Sequence, residues 1–392
     1  MPLTKGSERP AYKRILAVKL ADLGDLLAVT PALQALRAAH SAARIDLVVP
    51  PSSADLLAGA PYVDNIIVFD KFPFDYVRQM LHPGEALKAL NALRFLLRLR
   101  REKYDALAIF HHFTGRWGSL KFAMLALASG AGVRAGLDNG RGRFLTARVP
   151  DRGFGTMHET DYWLRVAALL GADARGGWQP HIPLNEAHRS AAANLLAKER
   201  MNHATALAAI HPGAGAYSRA RIWPVERFAE VARELIKTHN MQIIIVGGPD
   251  EVEAATAFER LVGSPMIHNL AGKTNIHETA ALLERCCLFV GNDSGPMHIA
   301  AAVGTPVVAV FGPSNKEAWG PYTPPGRPSP HRVVARDLPC QPCFYRAHSL
   351  GLREGCGPRP CLTGLHAKLV LEACEAVLGF GRRSFSTREG LQ

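Results

Sequence analysis

Short apolar runs of strand length alternate with helix-spaced stretches along most of the chain, and this alternation stops once and starts again. Residues 15–20 (ILAVKL), 45–49, 66–69 and 106–110 are strand-like, while 26–39, 85–101 and 159–170 carry helical spacing. Residues 171–183 (GADARGGWQPHIP) then mix Gly, Pro and polar residues without periodicity, as an interdomain linker does. Beyond them, strands at 206–210, 242–246, 288–290 and 307–311 alternate with helices near 225–238, 250–261, 276–285 and 296–302. Strands joined by helical crossovers demand a parallel sheet covered on both faces. The expected fold class is therefore α/β, with two doubly wound Rossmann-like domains at residues 14–175 and 205–364, a linker at 176–204 and a C-terminal helix at 365–380. Such sheets take ligands at the carboxyl ends of their strands, so the loops there carry the functional question.

With 392 residues, 48% of them hydrophobic and 20% charged, the chain has enough apolar surface for two cores, which excludes global disorder, a collagen-like rod and a small disulfide scaffold. The 46 Lys and Arg exceed the 34 Asp and Glu, for a net charge of +12 that attracts anions: a phosphorylated metabolite, an anionic membrane surface or a nucleic acid. A basic surface kept for solubility is the alternative. Aromatic residues are only 7% and are not interleaved with the basic ones, which argues against nucleic acid. No signal-peptide core is present near the start, and no window reaches the ~20 apolar residues of a membrane span. A cytoplasmic protein with at most peripheral membrane contact is expected, its seven Cys reduced.

Four loops hold the chemistry. Gly24-Asp25 follows the first strand; Asp25 is either a helix N-cap or a general base for an acceptor hydroxyl, and Asp22 competes for both roles. In HPGAGAYSRARIWP (211–224), Gly213 and Gly215 let backbone amides approach a phosphate, and Arg219 and Arg221 add charge. In GGPDE (247–251), Asp250 or Glu251 suits ribose hydroxyls, or else caps a helix. GNDSGPMH (291–298) sets a carboxylate, a hydroxyl and an imidazole at a helix start whose amides suit a diphosphate, with Asp293 left for sugar hydroxyls. Neither a G-x-G-x-x-G nor a P-loop spacing occurs, which disfavours a nicotinamide enzyme or a P-loop NTPase.

With ILAVKLADLGDLLAVTPALQAL, HPGAGAYSRARIWPVERFAEVA, IIIVGGPDEVEA and GNDSGPMHIAAAVGTP in this order, the sequence resembles the ADP-heptose:lipopolysaccharide heptosyltransferases, the ninth glycosyltransferase family. The resemblance extends over about residues 14–378. It implies a GT-B architecture, two domains facing across a cleft, and an inverting transfer without metal or other cofactor. The implied donor is ADP-L-glycero-D-manno-heptose, and the implied acceptor the acidic inner core of lipopolysaccharide, Kdo-lipid A or heptosyl-Kdo-lipid A, at the cytoplasmic face of the inner membrane. On the matching positions, Asp25 would be the catalytic base and Asp293 the heptose-binding carboxylate. Ser294, Gly295 and His298 would surround the diphosphate and sugar, with Gly213, Arg219 and Arg221 beside them. Glu251 would hold the ribose, and Lys273 and Thr274 the nucleotide loop. The family usually has Lys where this chain has Arg221, which puts that phosphate contact in question.

Arg134, Arg141, Arg143 and Arg148 form a basic strip in the first half, either acceptor-facing or simply solvated. Lys88, Arg94, Arg98, Arg100, Arg101 and Lys103 lie on one expected helix that either rests on anionic headgroups or is merely solvated. Cys340, Cys343, Cys356 and Cys361 have spacings of two, twelve and four residues, looser than a zinc ribbon's, and read as packed thiols or as a tetrathiolate. Two other readings stay open on sequence: a GT-B enzyme of another nucleotide sugar, and a non-catalytic polyanion-binding module.

Overall fold

The computed structural model describes residues 12–70, 86–201, 204–215 and 219–389, without the side chains of 86–89 and 380–389. Ala216, Tyr217 and Ser218 of the glycine loop, Glu85 and the side chain of Lys88 lie outside the described residues. The chain forms two compact units, residues up to 153 with 159–178, and residues 154–158 with those from 179 on.

The first unit runs β1 (Arg14–Val18), α1 (Leu23–Ala39), β2 (Arg44–Val49), β3 (Asn65–Val68), α2 (Ala86–Glu102), β4 (Ala106–Ile109), α3 (Arg116–Ser129), β5 (Val133–Asp138), β6 (Ala147–Pro150) and α4 (Glu159–Ala168). Its strands form one parallel sheet in the order β3-β2-β1-β4-β5-β6. Apolar side chains point to both faces because helices cover both: α1 packs with α4 on one side, α2 with α3 on the other. Leu99 of α2 and Phe122, Leu125 and Ala126 of α3 share a core with Leu16, Val18, Leu107 and Ile109 of the sheet.

The second unit contains α5 (Glu186–Lys198), β7 (Leu207–His211), α6 (Val225–His239), β8 (Gln242–Ile245), α7 (Val252–Val262), β9 (Ile267–Asn269), α8 (Ile276–Glu284), β10 (Leu288–Asn292), α9 (Gly295–Ala302), β11 (Val307–Val310), α10 (Lys316–Trp319), β12 (Arg332–Val334), α11 (Pro360–Thr363) and α12 (Ala367–Glu389). Its parallel sheet, β12-β11-β10-β7-β8-β9, repeats the topology of the first. In each sheet the strand order reverses between the first and fourth strands of its unit, β1 and β4 in one, β7 and β10 in the other. That is the place where loops on neighbouring strands part and leave room for a ligand.

Two boundaries differ from expectation. The break between units falls at residues 178 and 179, and the expected linker at 176–204 contains helix α5. Asn185 starts that helix with a capping box: its Oδ1 accepts the His188 amide at 3.0 Å, and His188 Nδ1 accepts the Asn185 amide at 3.3 Å. α5 lays only Ala192 and Leu196 fully into the interior, so its helical periodicity is faint in the sequence. The C-terminal helix continues to Glu389 rather than ending at 380, since no Pro interrupts residues 381–389.

Phe228 of α6 is fully buried and packs edge-on against Trp223 at 4.8 Å in the core that joins α6, α12 and the sheet. Replacing it by Ala is expected to cost about 3–5 kcal/mol, read as a lowered thermal midpoint. A loss below about 1 kcal/mol would mean that this core repacks around the void.

Candidate functional site

The loop after β1 opens with Lys19, whose side chain is only 2% exposed. A lysine ammonium so deep in a protein must be paired. Its Nζ meets Asp25 Oδ1 at 2.9 Å and lies 4.5 Å from the centroid of the Trp163 ring. Trp163, on α4, is completely buried. His112, in the loop after β4, approaches the same indole edge-on at 5.3 Å.

His112 is held between two carboxylates: Nδ1 lies 3.1 Å from Asp151 Oδ1, and Nε2 lies 3.1 Å from both oxygens of Glu159. Burial alone would push the imidazole pKa down, but Glu159 and Asp151 outweigh it and raise it to about 9. His112 is therefore an imidazolium at neutral pH. Trp163 thus packs against two cations, Lys19 and His112, whose attraction to an aromatic ring strengthens in a desolvated site. The Asp151 loop is pinned in turn, its Oδ1 accepting the Gly153 amide at 2.8 Å while the Tyr162 hydroxyl donates to Gly153 O at 3.0 Å.

Asp25 does not cap α1. Asp22 is the N-cap residue, with extended φ and ψ and its carbonyl accepting from the Leu26 amide at 3.0 Å, and Asp25 sits in the first turn facing Lys19. The capping alternative for Asp25 is thereby removed, and its carboxylate is about 30% exposed at the carboxyl end of β1.

The arginine strip separates. Arg134 is level with Leu107 and, through it, with Leu16, two residues short of the level at which Ile109 and Val18 end their strands. Its guanidinium donates to Phe144 O at 2.7 Å and Ala131 O at 2.9 Å, so it holds the loop between β5 and β6 and is not an open acceptor contact. Arg148 does similar work on Leu145 O and Asp138. Arg141 lies beyond the carboxyl end of β5, its Nη1 3.2 Å from Phe113 O, and Arg143 is exposed.

In the second unit the loops after β7, β8 and β10 are tied together by side chains. Asn292 is fully buried; its Nδ2 donates to Pro212 O and Gly213 O, each at 2.9 Å, and its Oδ1 accepts the Trp223 amide at 3.0 Å. Glu251 accepts from His211 Nε2 at 3.0 Å and from the amides of Gly215 (3.1 Å) and Gly248 (3.0 Å). Burial would raise its pKa, but His211 and those two amides hold it down to about 2. A Cβ on Gly213 would collide with Glu251 Oε1, so any side chain there would push that carboxylate off its present contacts. Glu251 therefore clamps the strand ends whether or not it also meets a ribose.

Ser294 is the N-cap residue of α9, with Gly295 first in the helix and Pro296 second. Its hydroxyl donates to Asn292 O at 3.1 Å and bonds His211 Nδ1 at 3.0 Å, so it makes no capping bond to the amides of the first turn. A Cβ on Gly295 would meet nothing within 4 Å, so the space before that helix end is open. Asp293 lies beside it, 6% exposed at its side chain, with Oδ2 3.3 Å from Arg221 Nη1; Arg221 Nη2 donates to Ala214 O at 3.1 Å. The planar fork serves two partners at once, which a lysine ammonium could not do with the same geometry. Arg219 and His298 are exposed and half-buried respectively. Lys273 and Thr274 occupy the loop after β9, where Lys273 Nζ pairs with Glu199 Oε1 at 2.8 Å and the Thr274 hydroxyl bonds that of Thr279 at 2.7 Å. The geometry brings Gly213, Arg221, Glu251, Asp293, Ser294 and Gly295 together around the switch point.

The cysteines are all free thiols, and among the described residues no three His, Cys, Asp or Glu side chains are arranged to hold a metal ion. Burial and the neighbouring Cys340 and Cys356 push the Cys343 thiol up, and its Sγ donates to Cys340 O at 3.4 Å.

Sequence reasoning passed over Lys19, His112, Glu159, Trp163 and Asn292. One signal was present: a lysine inside the otherwise apolar run ILAVKL has to find a counter-charge. His112 and Glu159 are 47 residues apart, and no local spacing connects them.

A profile of glycosyltransferase family 9 (heptosyltransferase) matches residues 92–352, about two thirds of the chain. Lipopolysaccharide heptosyltransferase 2 of Escherichia coli strain K12 is 27% identical over 324 residues, 80% of this chain and 85% of that protein. Among solved structures, a family 9 glycosyl transferase from Veillonella parvula superposes with TM-score 0.72 at 24% identity, covering 95% of this chain and 99% of its own. The E. coli heptosyltransferase WaaC with ADP-2-deoxy-2-fluoro heptose gives TM-score 0.61 at 19% identity, covering 93% and 99%.

Two outcomes follow from these contacts. A His whose folded pKa lies near 9 contributes stability below its unfolded value of ~6.5 that is lost as pH rises through 9. Replacing His112 by Gln leaves two buried carboxylates without their cation and is expected to cost about 3–5 kcal/mol at pH 6, the gap to wild type narrowing as pH rises from ~6.5 to about 9. Thermal denaturation across pH checks this, and a gap independent of pH would contradict it. Asn292→Ala leaves two carbonyls and one amide without partners and should cost about 2–3 kcal/mol, read as a lowered thermal midpoint. Unchanged stability would show that water replaces the clamp.

Proposed function

The chain belongs to glycosyltransferase family 9, the heptosyltransferases, and we propose that it transfers heptose from ADP-L-glycero-D-manno-heptose to the inner core of lipopolysaccharide. The observation that carries the reading is the pairing of chemistry with topology. One switch point offers a carboxylate fixed by a buried lysine, and the other a helix start that its N-cap side chain leaves uncapped, beside Asp293 and Arg221. The donor and the lipopolysaccharide acceptor come to this chain from its relatives, lipopolysaccharide heptosyltransferases and a homologous structure carrying an ADP-heptose analogue.

In the proposed mechanism, the amides of the first turn of α9 and the positive end of its dipole receive the diphosphate. Arg221 turns from Asp293 toward the phosphates, and Asp293 is released to hold heptose hydroxyls. Arg219, Gly213 and His298 border the diphosphate, while Glu251 accepts from the ribose with its remaining lone pairs. Lys273 and Thr274 flank the nucleotide. Asp25 removes the proton from the acceptor hydroxyl as that oxygen attacks the anomeric carbon and ADP departs from the opposite side, a single inverting displacement. Charge on the leaving ADP is met by fixed amides and guanidinium, which supply what a metal ion provides elsewhere. Arg141 and Arg143 are the acceptor-side cations of this proposal.

The reaction is assigned to the cytoplasmic face of the inner membrane, with the enzyme in peripheral contact. Among the described residues no helix is long and apolar enough to cross a membrane.

The test is mass spectrometry of heptose-deficient lipopolysaccharide after incubation with ADP-heptose and EDTA. Wild type should add one heptose, and Asp25→Asn, folded normally, should lose about 10²–10⁴ of turnover. Near wild-type turnover in the variant would remove Asp25 from its role. No addition by wild type, with ADP still bound tightly, would transfer the site to another sugar or acceptor.

A further inference from the structure

The helix layer formed by α2 and α3 has an outer face unlike a solvated one. On α2, Leu90, Leu93 and Leu97 stand on the side opposite the buried Leu99; on α3, Leu120, Met124 and Leu127 stand opposite Phe122 and Leu125. All six are between 42% and 61% exposed. The two helices pack on each other over the same sheet face, so their outward rows adjoin. Scattered exposed leucines are ordinary, but six on adjoining helices form a patch of the kind that meets another surface.

The charges around the patch have one sign. Arg94, Arg98 and Arg101 share the exposed side of α2, and Arg116 and Lys121 belong to α3. Glu102 is the one acidic residue in either helix, and it is paired with Arg14 and Arg44. Apolar residues flanked by arginines that have no acidic partner among the described residues suit an anionic bilayer surface, where leucines enter the acyl boundary and guanidinium groups stay with the phosphates. A soluble acidic partner would leave the leucines unexplained, and a second copy would bring arginines against arginines. Both helices begin at the carboxyl end of the sheet, where Asp25 sits, so a bilayer against this layer lies near the acceptor side of the chemistry.

We infer that the outer face of α2 and α3 docks on anionic lipid. The inference deepens the proposed function by naming the surface that meets the acceptor's membrane, and it rests on that reading for its biological purpose but not for its geometry. Sedimentation with vesicles of phosphatidylglycerol mixed with phosphatidylcholine, and with phosphatidylcholine alone, tests it. Wild type should bind the anionic vesicles, less so at high salt, and leave the zwitterionic ones in solution. The triple variant Leu93→Gln, Leu97→Gln, Met124→Gln should bind at least about tenfold more weakly. These positions are exposed, so its thermal midpoint should match wild type. Equal vesicle binding by the triple variant, or none by wild type, overturns the inference. A wild-type dimer in light scattering that the triple variant converts to monomer overturns it too, and gives the face to a second copy. Turnover on a delipidated, water-soluble core acceptor separates the two claims: it should be the same in both proteins. Its absence in both would count against the proposed function while leaving the vesicle result to stand alone.

Discussion

A lysine whose side chain is almost wholly enclosed requires a counter-charge, and in this protein that requirement fixes Asp25. Removing the ammonium from water carries a penalty of several kcal/mol unless charge and polarisable groups replace the hydration. Asp25 replaces part of it at 2.9 Å, and the Trp163 face another part. The tryptophan is positioned by α4, which also supplies Glu159 to the imidazolium of His112. An exposed carboxylate on a loop would sample many rotamers. This one is pinned by its partner while about 30% of it still faces solvent, which suits the proton-accepting role proposed for it.

The second unit solves a different problem with the same sheet. In the proposed function the diphosphate meets the first turn of α9, so the loops around that helix start must be held by contacts that leave it open. Asn292 and Glu251 do this from the side, collecting carbonyls and amides of the loops after β7 and β8. Ser294 turns its hydroxyl back to His211 and Asn292, away from the helix start it precedes. Arg221 and Asp293 satisfy each other's charge at 3.3 Å, and in the proposed function this one contact supplies both the cation for phosphate and the anion for hydroxyls.

The alternation of strands and helices was readable because parallel sheets bury both faces and leave continuous apolar runs. The loops gathered at the second unit's switch point were readable because turn formers, carboxylates and arginines crowd short loops after strands. Helix α5 was not, since only two of its residues reach the interior and the chain before it is rich in Gly and Pro. Arg134 looked like part of a basic strip, yet strand register places it below the carboxyl end, where backbone carbonyls take its guanidinium. His112, Glu159 and Trp163 are invisible as a group because tertiary packing alone brings them to Lys19. A basic helix could be seen in the sequence; that its leucines stay outside depends on which side the sheet claims.

The proposed transfer is a single displacement in which Asp25 takes the acceptor proton while ADP leaves from the opposite side. NMR determination of the anomeric configuration in the glycosylated product tests that directly. The product should carry the configuration opposite to that of the heptose in its ADP donor. A product with the donor's configuration retained would contradict it, since two displacements or a same-face attack would then be required.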